Sequence, residues 1–221
     1  MRNSKLFKLA MVSVLMLTAS AAFGWSTASA WTTTAGGSSL AATAPTSKLT
    51  INTATPVGVQ CTGTSASGNL LSLVNANNGL PTKVSSTLTL TFTGCTAAGL
   101  AATVNCTGTA AELWAISYSG GITTGQVRNV TCSITVNSLP GCKITVVGSG
   151  ASGVAVSVTY NNTTKQLIVS ASGQTLTASW TSACTILTPR PGSASATFTN
   201  LSNGALVYTS TATPAPVVTN P

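Results

Sequence analysis

Apolar and polar residues alternate along most of this chain with a period of two. In Val84-Ser85-Ser86-Thr87-Leu88-Thr89-Leu90-Thr91-Phe92, the side chains of Leu88, Leu90 and Phe92 share one face and threonines take the other. Val154–Tyr160 repeats the pattern. The polar Asn161-Asn162-Thr163-Thr164 then leads into Gln166-Leu167-Ile168-Val169, a β-hairpin signal. Further strands are predicted over Lys48–Thr53, Val57–Thr62, Ala101–Cys106, Leu113–Ser117, Gln126–Val136, Lys143–Val147, Gln174–Trp180, Ala194–Thr199 and Leu206–Thr211. Gly, Asn, Ser or Pro separates most of them. Asn69–Ala76 reads as one turn of helix or an edge strand. The expectation is an all-β fold, a β-sandwich or barrel-like set of antiparallel sheets. It spans residues 48–211, with a candidate internal boundary near 137–141.

The two ends read differently. Arg2, Lys5 and Lys8 precede an uncharged apolar run from Leu9 to Ala22, and small residues follow as Ala28-Ser29-Ala30. That order is a secretory signal peptide over residues 1–30, and the apolar run is short for a membrane span. Residues 31–47, rich in Thr, Ala, Gly and Ser, read as a flexible leader, and 212–221 as a disordered tail. Neither holds an anchor, so no membrane attachment is expected after cleavage.

Composition sharpens this picture. The chain carries 40 Thr and 28 Ser, and charged residues make up only 5%. Such residues fit the polar outer face of a pleated sheet. Past residue 30, six basic residues (Lys48, Lys83, Arg128, Lys143, Lys165, Arg190) face one acid, Glu112. The basic balance comes from missing acids, and no two cations are adjacent, so nucleic acid is not an expected partner. The repeated Thr-x-Thr pairs lack the fixed period that a flat ice-binding array needs. Asn-x-Ser/Thr sequons at Asn105, Asn129, Asn161, Asn162 and Asn200 read as chance in a Thr-rich chain.

Six cysteines (Cys61, Cys95, Cys106, Cys132, Cys142, Cys184) follow the signal. An even number in an exported chain reads as three disulfides. Fifteen pairings are open; pairing neighbours along the chain gives Cys61–Cys95, Cys106–Cys132 and Cys142–Cys184. With no His and no Cys-x-x-Cys, a zinc site is not expected, nor is any other metal or cofactor.

The excluded chemistry is broad. Without His or Asp, no Ser-His-Asp or Cys-His nucleophile is available. A two-carboxylate glycosidase needs a second acid beside Glu112. No catalytic residue is therefore assigned and the chain is read as a non-enzyme. Glu112 reads as a solvated charge at a strand start, suited to a cross-strand pair with Arg128. Phe92, Tyr160, Trp180 and Phe198 lie in alternating runs and are expected in the core. Trp114, Tyr118 and Tyr208 are the candidate ligand contacts, because exposed Trp and Tyr rings stack on sugars.

From Gly141 onward the chain resembles a group of uncharacterised secreted β-rich proteins of high-GC Gram-positive bacteria. The resemblance is carried by Gly141-Cys142-Lys143-Ile144-Thr145-Val146-Val147-Gly148, Val158-Thr159-Tyr160-Asn161-Asn162, Leu167-Ile168-Val169, Cys184, Ala196-Thr197-Phe198 and Tyr208. Cys61 and Phe92-Thr93-Gly94-Cys95 extend it more loosely. Cys106 and Cys132 are an extra pair on that pattern, a further reason to join them. Pro189-Arg190-Pro191-Gly192 departs from it, standing where a Gly-Asp type turn is expected. The resemblance implies export, β structure and disulfides, and no activity.

The function expected from these readings is a secreted, non-catalytic β-domain in adhesion or structural assembly at a cell surface or matrix. A carbohydrate-binding module, with a cell-surface glycan as partner, is the alternative. A secreted protease inhibitor or effector is another, with Leu139 in Asn137-Ser138-Leu139-Pro140-Gly141-Cys142 offered to a protein partner.

Overall fold

A computed structural model of the chain describes residues 32–33, 39–69, 82–106, 111–148, 154–188, 190–202, 204–211 and 217–219. The expected signal peptide, and the Asn69–Ala76 segment beyond Asn69, lie outside them. The described residues form strands β1 (Thr32–Thr33), β2 (Ser39–Ala44), β3 (Ser47–Ile51), β4 (Val57–Asn69), β5 (Thr82–Ala97), β6 (Leu100–Asn105), β7 (Ala111–Ser119) and β8 (Ile122–Arg128). The series continues with β9 (Thr131–Val136), β10 (Lys143–Gly148), β11 (Val154–Asn161), β12 (Gln166–Val169), β13 (Leu176–Trp180), β14 (Gly192–Thr199), β15 (Leu206–Ser210) and β16 (Val218–Thr219).

All but β1 and β16 belong to one closed barrel, and its logic is simpler than the strand count suggests. Ala44 lies opposite Thr64 and Ser47 opposite Cys61, so β2 and β3 follow one register along β4 across Pro45-Thr46. They are one strand line, interrupted where proline lacks a backbone N–H. β6–β7, β8–β9, β10–β11, β12–β13 and β14–β15 likewise follow the same neighbouring lines, with a shift of register between the two strands, whereas β4 and β5 run through. Each line pairs antiparallel with the next in chain order, and β14–β15 pairs with β3–β2 to close the ring. The fold is therefore an up-and-down barrel of eight long lines, each broken or bent near its middle. Closure removes the open edges that isolated sheets expose.

The middle is marked by a change of phase. Buried residues run Ala42, Ala44 and then Ser47, Leu49, Ile51 in the first line; in β4 they run Val57, Val59, Cys61 and then Thr64, Ala66. The β8–β9 line gives Val127, then Val130, Cys132, Ile134. These lines, and β5 with them, take one step of three where an alternating strand takes two. The extra residue lets the line bend while the apolar face stays inside. On β5 the change falls at Gly94, whose φ is +59°; a Cβ there would lie 2.2 Å from the Thr62 hydroxyl oxygen. Asn129, at φ +58°, turns the β8–β9 line in the same way.

The disulfides are Cys61–Cys95, Cys106–Cys132 and Cys142–Cys184, the pairs that neighbour pairing along the chain gave. The first two join adjacent lines at this waist. The third ties the β9–β10 turn to the segment after β13, and both its cysteines are fully buried. Such bonds form and persist in oxidising surroundings.

Several sequence expectations are corrected. The 31–47 leader contains β1, β2 and the first residue of β3, and Ala42 and Ala44 are buried. Small side chains made β2 read as linker; they face inward because Tyr208 on the neighbouring line fills the space. In the supposed tail, Val218 is 4% exposed. Gln126–Val136 is two strands, not one. The 137–141 segment is a tight turn, with the Cys142 N–H bonded to the Leu139 carbonyl, between the paired strands β9 and β10, not a domain boundary.

The waist makes a stability prediction. Gly94→Ala is expected to cost roughly 1–3 kcal/mol, because strain is added to a side-chain clash. Gly58→Ala, where a Cβ meets only the flexible side chains of Lys48 at 3.4 Å and Gln60 at 3.8 Å, is expected to cost clearly less. Urea unfolding with the disulfides intact decides it; equal losses would remove the special role given to Gly94. The Cys142→Ala/Cys184→Ala double variant, which opens a 42-residue separation, is expected to lose about 4 kcal/mol in the same assay.

Candidate functional site

Three charged side chains, Lys83, Glu112 and Arg128, converge at one place on the barrel's outer face. β7 places Glu112 and Trp114 on one side, two residues apart. β5 brings Lys83 opposite Trp114, and β8 brings Arg128 opposite Glu112 and Gln126 opposite Trp114. The Glu112 carboxylate accepts from Lys83 Nζ at 3.1 Å and from the Trp114 indole N–H at 2.8 Å. Arg128 is the register partner of Glu112, as expected, yet its guanidinium lies 4.3 Å from the Trp114 ring centroid and donates to Gln126 Oε1. A planar, weakly hydrated guanidinium gains by stacking on an indole, and the more compact ammonium takes the carboxylate. Partial burial acts to raise the Glu112 pKa. The indole and Lys83 hydrogen bonds, with the charges of Lys83 and Arg128, outweigh it and hold the carboxyl below its ordinary value.

The interior is of the opposite character. Leu49, Val59, Leu90, Phe92, Val156 and Phe198 are among the side chains around an apolar cavity of about 80 Å³ that spans both halves of the barrel. Phe92 and Phe198 meet edge to face there, with centroids 5.8 Å apart. A void of this character excludes water and admits only small apolar guests. Tyr208 is 2% exposed, and its hydroxyl shares a 2.9 Å hydrogen bond with that of Thr64. Burial pushes its pKa up to about 12, against the lowering effect of that bond; burial likewise raises Tyr160 to about 12.

A third feature closes one mouth of the barrel. The Asn162 side chain in the β11–β12 turn accepts from the Val218 N–H at 2.8 Å and donates to the Val218 carbonyl at 2.9 Å. Thr123 Oγ1 donates to the same carbonyl at 2.7 Å, and Asn162 also donates to Gly121 O. One amide thus satisfies both backbone groups of Val218, as a neighbouring strand would. The Val218 side chain lines a second cavity of about 40 Å³ together with Tyr160, Lys165 and Tyr208. β16 pairs only with β1.

The three candidate ligand contacts are therefore not brought together. Trp114 lies on the outer face with Arg128 across its ring. Tyr118 is half-buried against the core. Tyr208 is inside, which corrects its reading as an exposed ring: inward phase on β15, not the aromatic residue type, decides its placement. Leu139 packs half-buried against the core. Tyr160 and Trp180 are buried in the core, Phe198 packs half-buried against it, and Phe92 lines the apolar cavity. Asn162, Thr123 and Val218 were missed; the sequon at Asn162 is the only local signal and it points elsewhere. Compared with protein-family models, curated proteins and solved structures, the chain has no match.

The Glu112 cluster predicts a pH-dependent stability difference. A carboxyl with a depressed folded pKa stabilises above its unfolded pKa, near 4.3, and loses that contribution as pH falls through the folded value. Wild type is expected to exceed Glu112→Gln in stability by up to about 1 kcal/mol at pH 7, the scale of an exposed ion pair. The margin should narrow at a second, acidic pH below the unfolded value. Denaturant unfolding of both proteins at the two pH values measures it, and a margin that does not narrow on acidification would refute the assignment.

Proposed function

We propose that this protein is an exported, non-catalytic β-barrel that serves in structural assembly or adhesion at a bacterial cell surface or in the surrounding matrix. The observation that carries the reading is the state of Glu112. It is the one acid of the chain and is already committed to Lys83 and an indole N–H. A group so engaged has no second carboxylate or imidazole with which to share proton transfer. The outer face supports the same reading. Thr87, Thr89, Thr91 and Thr93 are all exposed on β5, over an apolar interior, the reverse of a membrane barrel with its lipid-facing apolar band. The signal-like N-terminus and the disulfides supply the compartment. The glycan alternative loses support where one aromatic is buried and another is covered by Arg128.

The test is recovery of the protein from cultures of the producing cells, followed by non-reducing peptide mapping. The expected product is extracellular or surface-retained, begins near Trp31 and carries the three bridges. Cytoplasmic protein with free thiols would overturn the proposal.

A further inference from the structure

The Asn162–Thr123 clamp is a peptide-binding site, and we propose that its occupant is exchangeable: the Val218 segment of a second copy docks where the chain's own segment sits. The barrel closes every line on its neighbours, so among the described strands only β1 and β16 lie outside it. The docked segment does not extend the barrel. Besides its two-residue pairing with β1, it is held by a side-chain amide, a hydroxyl and a valine pocket, and none of these last contacts depends on which chain supplies the segment. Between Thr211 and Val217 the sequence is Ala-Thr-Pro-Ala-Pro, the Pro-rich composition of a spacer. Exchange of an identical element re-forms each contact in the partner and needs no new surface. The ligand class is thus an extended peptide with a valine-sized side chain whose flanking N–H and C=O are read together. This inference deepens the assembly reading above by giving it a mechanism.

Two full-length variants test it by complementation. Asn162→Ala keeps the segment and damages the site; Val218→Asp keeps the site and disables the segment. Each alone is expected to sediment as a monomer, and their mixture to form a 1:1 heterodimer. A labelled peptide of residues 214–221 provides the second measurement. It should bind the Val218→Asp chain at least tenfold more tightly than wild type, whose tethered segment competes at high effective concentration. Adding Asn162→Ala should weaken that binding about tenfold or more, as a buried N–H and C=O lose their partner. If Asn162→Ala does not fold with three disulfides and a cooperative melt, Thr123→Ala replaces it. A mixture that stays monomeric, or peptide binding indifferent to Asn162, overturns the exchange. Both assays use purified protein, so their failure is distinct from failure of the compartment test, which would sink the extracellular reading and leave the exchange standing.

Discussion

The structure depends on one geometric constraint: eight strand lines must close on one another while keeping an apolar face inside over more residues than a straight strand allows. Strands twist, and a long closed barrel accumulates that twist until inward side chains drift out of phase. Four of the lines answer with a step of three, at Pro45-Thr46, Thr62-Gly63, Thr93-Gly94 and Asn129-Val130. Much else sits where it does because of that step. Two disulfides flank it. The apolar cavity lies beside it, lined by Ser47, Cys61, Phe92, Val130 and Cys132. Where the ladder is interrupted between β12 and β13, the Gln174 side chain bonds both the N–H and the carbonyl of Phe198.

This recurrence of side-chain amides is informative. Gln174 at the waist and Asn162 at the mouth each pair with both polar groups of one backbone residue. A buried N–H and C=O need partners, and where no strand can pass, an amide is the side chain that carries donor and acceptor together. The abundant Thr and Ser act similarly: Thr123 reaches Val218, and Thr181 Oγ1 donates to Gly141 O beside Cys142. A chain with few charges thus satisfies its backbone with neutral groups that suffer less from desolvation than ions do.

Much of this was legible in the sequence, and what was not has physical causes. The alternation in Val84–Phe92 and Val154–Tyr160 identified strands directly. Even the phase step can be read in Val127, Val130, Cys132, Ile134, Val136, once a bent strand is considered in place of a straight one. The sequence was silent for β2 and the second half of β4, where the inward residues are Ala42, Ala44, Thr64 and Ala66. A lumen already filled by tyrosine leaves room only for small side chains, and small side chains carry no hydrophobic signal. Tyr208 misled for the complementary reason: its aromatic type fits a ligand surface, but its position on β15 faces it inward. Asn162 and Val218 are 56 residues apart, and no local pattern encodes their pairing.

The outer-face cluster shows how far such a chain can go with one acid. Glu112 would be costly to leave unpartnered in a half-buried position, yet two donors hold it, Lys83 and the indole of Trp114, and the charge of Arg128 lies nearby. Arg128 gives up the carboxylate that its register offers and stacks on Trp114, so the indole holds the acid by its N–H and the base by its face. Removing Trp114 would thus cost the carboxylate a donor and the guanidinium its platform together. The stabilising unit is the aromatic ring, with the ion pair arranged around it.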